Sequence, residues 1–285
     1  MKIKTIRNKI LLMLPALLLG NMSMNAQTDS LRFGDKFITN AKMIGIGTTN
    51  ILDTYLSPEK YTGTDVRYVS HTLRQRQGSK FIYELVHQGN ISYIDNRSGD
   101  GKEMSSNYNF QYGLHYLCNT WNVGSNQLLL EAGGNVEVNL GFIYNTRNSN
   151  NPAQARAFIN IMPTAALEYN FHNPFHQGGY RDFKLRYEIG VPVAGLMFSP
   201  NYGQSYYEIF SEGNYDHNIR TTYPGNAPSL RNMLTFDFPI LHSTFRIGYL
   251  GEFQQARVNN LKQHVYTHAI MIGIVKTFKL IKVRK

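Results

Sequence analysis

Seven carboxylates, Glu84, Glu131, Glu137, Glu168, Glu188, Asp237 and Glu252, and four cations, Lys184, Arg186, Arg231 and Arg246, fall in stretches of alternating character, on the parity opposite the apolar residues. Opposite charges in a confined space pair, and burial is tolerated only for charges that are paired and hydrogen-bonded. Two chemistries follow from such a set. One is an electrostatic plug that ties a wall to itself. The other is a narrow polar channel or proton path, which needs a continuous open lumen. No sequence feature marks such a lumen, and the plug is the reading adopted.

A second concentration of chemistry lies between Pro200 and Tyr223, where Tyr202, Tyr206, Tyr207, Phe210, Tyr215 and Tyr223 stand among Gly, Asn, Ser and acidic residues. Tyrosine joins an apolar ring to a polar tip, which suits stacking on sugars or gripping a protein. The plainer alternative is that the rings pack together, fold over a mouth or extend an aromatic girdle. His172 and His176 have helical metal spacing, but Asn173, Pro174, Gly178 and Gly179 mark a turn there. His264 and His268 would lie about 13 Å apart on a strand, too far for one ion. No His and Cys set has zinc spacing, so no metal and no cofactor is expected. His87 and His268 share the apolar parity, yet neither has a serine with an acyl-transfer signature. A lipid hydrolase or deacylase is the enzymatic alternative to a non-catalytic protein.

The elements that must position these groups are strands. From Leu128 to Tyr144, Leu128, Leu130, Ala132, Val136, Val138, Leu140, Phe142 and Tyr144 share one parity, and Glu131, Asn135, Glu137 and Asn139 the other. Successive strand residues point to opposite faces, so one face is oily and the other acidic and amide-rich. The pattern predicts ten strands, with twelve as the upper count: Lys42–Asn50, Thr64–Arg74, Lys80–Ile94, Asn107–Cys118, Leu128–Tyr144, Arg156–Asn170, Phe183–Phe198, Leu230–Phe238, Thr244–Gln255 and His264–Phe278. Short connections alternate with long ones, as in all-β, closed, antiparallel up-and-down transmembrane β-barrels. Gly113, Gly133, Gly141, Gly190, Gly248 and Gly273 fall on the polar or small-residue face, where a narrow interior brings facing strands close. Ten strands leave an interior only slightly wider than one filled by side chains. A wide pore is therefore not expected, and a soluble periplasmic β-barrel binding protein is the outside alternative.

Lys2, Lys4, Arg7 and Lys9 precede an apolar run from Ile10 to Leu19 and a cut expected after Ala26, the layout of a secretory signal peptide. The run is too short to span a bilayer. Removing those four basic groups lowers the formal charge from +10 to about +6. The remaining excess is largely terminal, at Lys279, Lys282, Arg284 and Lys285, and the strands carry interspersed acids, so a nucleic-acid partner is not expected. Cys118 stands alone and cannot form an internal disulfide. The expected organisation is a signal peptide over 1–26, a periplasmic segment over 27–41, a barrel over 42–278 and a basic periplasmic tail over 279–285.

The Asn25, Ala26, Gln27 junction and the ending of the last strand at Phe278 resemble exported outer-membrane β-barrel families of unknown function from Bacteroides-type bacteria. The stretch Ile270 to Phe278, with Gly273, is similar to the C-terminal signal read by the barrel assembly machinery. It departs from that signal at Lys276 and in the seven residues after Phe278. The resemblance implies the outer membrane of a Gram-negative envelope as location, with its lipids and the assembly machinery as partners. It brings no activity, and any extracellular ligand is left unnamed. A structural, interaction or minor transport role is expected.

Overall fold

The computed structural model describes residues 36–172, 183–240 and 243–280. Among these, twelve strands occur: β1 (Lys36–Asp53), β2 (Ser57–Arg76), β3 (Phe81–Asn96), β4 (Lys102–Val123), β5 (Asn126–Asn145), β6 (Ala153–Phe171), β7 (Phe183–Gly190), β8 (Ala194–Phe198), β9 (Ile219–Thr222), β10 (Leu230–Ile240), β11 (Ser243–Val258) and β12 (Leu261–Leu280). One short helix, α1 (Tyr206–Phe210), starts from a capping box in which Ser205 and Glu208 exchange hydrogen bonds.

Ten strands close into an antiparallel barrel in the order β1 to β7, then β10, β11 and β12, with β12 paired back onto β1. From Gly133 the residues paired in register run through Thr164 and Gly190 to Arg231, Glu252, Thr267, Thr49, Gly63, Ile94 and Glu103. The circuit re-enters β5 at Asn145, a shear of twelve residues from Gly133. With a rise of about 3.3 Å per residue and about 4.8 Å between strands, this tilts the strands by roughly 40°. The barrel spans Lys36 to Leu280, wider than the expected 42–278, because strand pairing continues past the last apolar alternation. The expected signal peptide and most of the basic tail lie outside the described residues.

The seventh expected strand, Phe183–Phe198, is divided. Val191 and Val193 still donate to the carbonyls of Pro163 and Ile161, but Pro192 between them has no N–H to give. Across this break the register on β6 slips by one residue, from Gly190 opposite Thr164 to Ala194 opposite Ile161. β9, which pairs with β8, was not foreseen. β8 and β9 stand outside the circuit of ten.

The outward face is apolar. Val136, Leu140, Ile159, Ile161, Ile270 and Ile272 are exposed, whereas Glu131 and Glu137 are buried inside. Near the end that carries Lys36 and Leu280, here the terminal end, Phe171, Phe183, Phe236, Phe238 and Phe245 form an unbroken run of stacked and tilted rings across four strands. A few polar groups interrupt the outer face. Asn40 hydrogen-bonds Thr72 at 2.6 Å, and Lys42 has a stem long enough to carry its charge away from the apolar surface.

Candidate functional site

Inward side chains fill the terminal half of the lumen with a linked set of ion pairs that continues past mid-height on one side. Arg186 of β7, 1% exposed at its side chain, sits 2.8 Å from Glu131, 3.2 Å from Glu188 and 3.6 Å from Glu168. Lys184 holds the other oxygen of Glu168 at 2.8 Å. His115 lies 3.0 Å from Glu84 and 3.9 Å from Glu131, and His71 lies 2.6 Å from Glu84. Arg246 reaches both oxygens of Asp237, one at 2.7 Å, and approaches His71 at 3.3 Å. Higher up, Arg231 bridges Glu188 and Glu252 at 3.7 and 3.6 Å, and Arg67 binds Glu252 at 2.8 Å and Asp65 at 2.6 Å. Of the eleven charged residues singled out above, ten join this set. Glu137 does not, and instead accepts hydrogen bonds from Asn109 and Asn160 at 2.8 and 2.9 Å.

Close packing inside the barrel depends on the absence of a side chain at Gly113. A Cβ there would lie 1.8 Å from Oδ1 of Asn135. That amide needs the space, because it donates to Glu84 at 2.7 Å and lies 3.1 Å from His115. Asp65, Arg67, His71 and Arg156 are inward groups outside the charged set that the alternation singles out. Asp65, Arg67 and His71 share one parity on β2 against Val66 and Tyr68, and that alternation was the available signal.

At mid-height the lumen holds an apolar layer. Met43, Val69, Val86, Met233, Leu250 and Met271, from six strands, form one buried cluster. His71, Glu84 and Glu188 offer three potential metal ligands within 4.8 Å. His71 and Glu84 are already hydrogen-bonded to each other, and Arg186 and Arg246 crowd the same place. Two guanidiniums are the wrong company for a cation, so the cluster reads as part of the ion-pair set.

The far half is different. A cleft partly open to solvent is lined by Arg156, Asn160, Phe158 and Met162 of β6 and by Pro192, Ala194 and Met197 beyond β7. Arg231, Glu252, Gln254, Gln263 and His264 complete its polar wall. Above it, the segment from Ser199 to Ser229 folds over the mouth. Tyr206 accepts a hydrogen bond from the Ala155 N–H at 2.6 Å and donates to Gln154 at 2.8 Å. Tyr55, in the β1–β2 turn, donates to the Gln204 carbonyl at 3.0 Å and packs edge-on against Tyr206. Burial pushes the Tyr55 phenol up to about 12, with Asp53 and Glu208 adding to the shift. Tyr206 is raised by burial as well. Thus Tyr206 fastens the cap, whereas Tyr202, Tyr207, Phe210 and Tyr215 project from it, each more than 60% exposed.

His87 and His268 face outward. Each shares a hydrogen bond with a tyrosine hydroxyl, Tyr108 and Tyr249 respectively, both at 2.6 Å. Among the described residues no serine or threonine hydroxyl hydrogen-bonds either imidazole. Cys118 is exposed and unpaired.

The profile of a family described as "Protein of unknown function (DUF3316)" matches residues 10–285. No curated protein is significantly similar to the chain. Among solved structures, the outer membrane protease OmpT from Escherichia coli aligns at 9% identity and TM-score 0.44, over 88% of this chain and 100% of that one. The translocator domain of the autotransporter NalP from Neisseria meningitidis aligns at 10% identity and TM-score 0.36, over 91% and 95% of the two chains. The outer membrane protein OprG from Pseudomonas aeruginosa aligns at 11% identity and TM-score 0.33, over 86% and 96%.

Proposed function

The chain belongs to this family of proteins of unknown function, and we propose that it is a non-catalytic, non-conducting barrel of the outer membrane that works from its far, capped end. Export by the N-terminal signal and insertion by the barrel assembly machinery place both termini in the periplasm, so the short helix and its tyrosines face outward from the cell. Anionic headgroups and acyl chains are then its immediate partners.

The observation that carries this reading is the filled cross-section. An ion crossing the lumen would have to break the carboxylate pairs of Arg186 and then pass the layer of Met43, Val69, Val86, Met233, Leu250 and Met271. The exposed belt of Val, Ile, Leu and Tyr disfavours a soluble protein, since contiguous apolar surface of that extent aggregates in water. Purified protein in planar bilayers is the test. The expected result is an electrically silent membrane, and steady unitary conductance from the unmodified protein overturns the proposal. Reconstituted protein is also expected to leave labelled phospholipid intact; product lost on substitution of His87 or His268 would make it an enzyme.

A further inference from the structure

We propose that the far-half cleft is a binding site for a small amphipathic carboxylate, its head held by Arg156 and Arg231 and its apolar body lying against Met162, Ala194 and Met197. The inference does not depend on whether the barrel conducts.

The first argument is hydrogen-bond capacity. Arg156 Nε, Arg231 Nε and Nη2, and Gln263 Nε2 are buried in the cleft wall without a hydrogen-bond partner in the protein. All four are donors. The two carboxylates beside them are already engaged: Glu137 accepts from Asn109 and Asn160, and Glu252 accepts from Arg67 and Gln88. Arg231 lies 3.6 Å or more from its two acidic neighbours, and Arg156 bonds only neutral amides, Asn107 at 3.3 Å and Gln254 at 2.5 Å. Leaving a buried donor unsatisfied costs its desolvation, and more when it is charged. A ligand with acceptor oxygens recovers that cost, and a guanidinium matches a carboxylate with two parallel bonds.

The second argument is the other wall. Met162, Ala194 and Met197 are apolar, and Ala194 is exposed at the outer surface. There β8 and β9 leave the circuit, and beside β11 the ladder gives way to a turn held by Ser229 and Asn226. Pro192 supplies no N–H to close the gap. The cleft therefore meets the apolar outer face of the barrel as well as its mouth. A purely hydrophilic anion would leave the methionine side unfilled, and an uncharged chain would leave the guanidiniums bare.

The test uses the full chain in lipid nanodiscs, with empty discs as reference and calorimetry as readout. Dodecanoate probes a membrane-borne ligand and 4-phenylbutanoate a water-borne one; saturable binding of either supports the site, and which one binds identifies the route. Arg156→Gln, a residue outside the ion-pair set, is expected to weaken that binding at least tenfold while the protein keeps its heat-modifiable gel migration. Ala256→Trp, which fills the cleft beside Met197 and leaves both arginines, is expected to do the same. Dodecanol or acetate binding as tightly as the carboxylate probes, unchanged affinity in both variants, or no carboxylate binding above empty discs overturns the proposal.

Discussion

Arg186 and Arg156 are both buried arginines inside one barrel, Arg186 lying opposite Glu168 and so twelve residues along β6 from Arg156, and they live in opposite circumstances. Arg186 touches three carboxylates, although its Nε and the Nδ1 of His115 stay without hydrogen-bond partners. Arg156 touches none. The terminal half spends its charges on one another and so becomes wall and floor, while the far half keeps donors that the protein does not use. In a closed cylinder the strand positions of inward side chains are fixed, so whether a charge is structural or available is decided by what the neighbouring strands place beside it.

Removing each arginine in turn is the hardest test of that contrast. Arg186→Ala leaves Glu131, Glu188 and Glu168 facing each other without their main counter-charge, and is expected to lower stability by about 3–5 kcal/mol. Urea unfolding of the barrel in vesicles, followed by gel migration, measures it. Arg156→Met removes no ion pair and is expected to stay within about 1 kcal/mol of the unmodified protein. Equal losses in the two variants would erase the distinction. Gly113→Ala falls between them, because the added methyl displaces Asn135 from Glu84; overpacking of this kind costs roughly 1–3 kcal/mol, and the same urea midpoints read it.

The alternation of Leu128 to Tyr144, and its counterparts along the chain, made ten strands legible, because an apolar outer face and a polar interior leave a period of two. Three features were hidden. The strand ends around Lys36 and Lys102 carry polar residues on both faces, so pairing continues where the pattern stops. Pro192 sits inside a run that otherwise reads as one strand, and its one-residue slip reverses parity without a composition signal. The layer of Met43, Val69, Val86, Met233, Leu250 and Met271 occupies inward positions, where apolar residues mimic the lipid-facing set. The charged positions of the lumen could be read as a parity; that Arg156 and Arg231 keep free donors could not, since this depends on distances between strands far apart in sequence.

The cap offers finer tests. Tyr206→Phe deletes the bonds to Gln154 and the Ala155 N–H and is expected to loosen the 199–229 segment by about 1 kcal/mol, seen as faster protease cleavage there with the barrel still intact. The smallest effect belongs to pH. The Tyr55 phenol is held up to about 12 in the folded protein against its ordinary value of 10.0. A group raised on folding contributes its full stabilisation below the unfolded value and loses it as pH rises through the folded one. The cap should therefore hold through pH 10 and loosen between 10 and 12, with Tyr55 ionising late in a phenolate absorbance titration and Tyr55→Phe removing that late component. If the segment instead became cleavable below pH 10, the tyrosine hydrogen bonds would not be what fastens it.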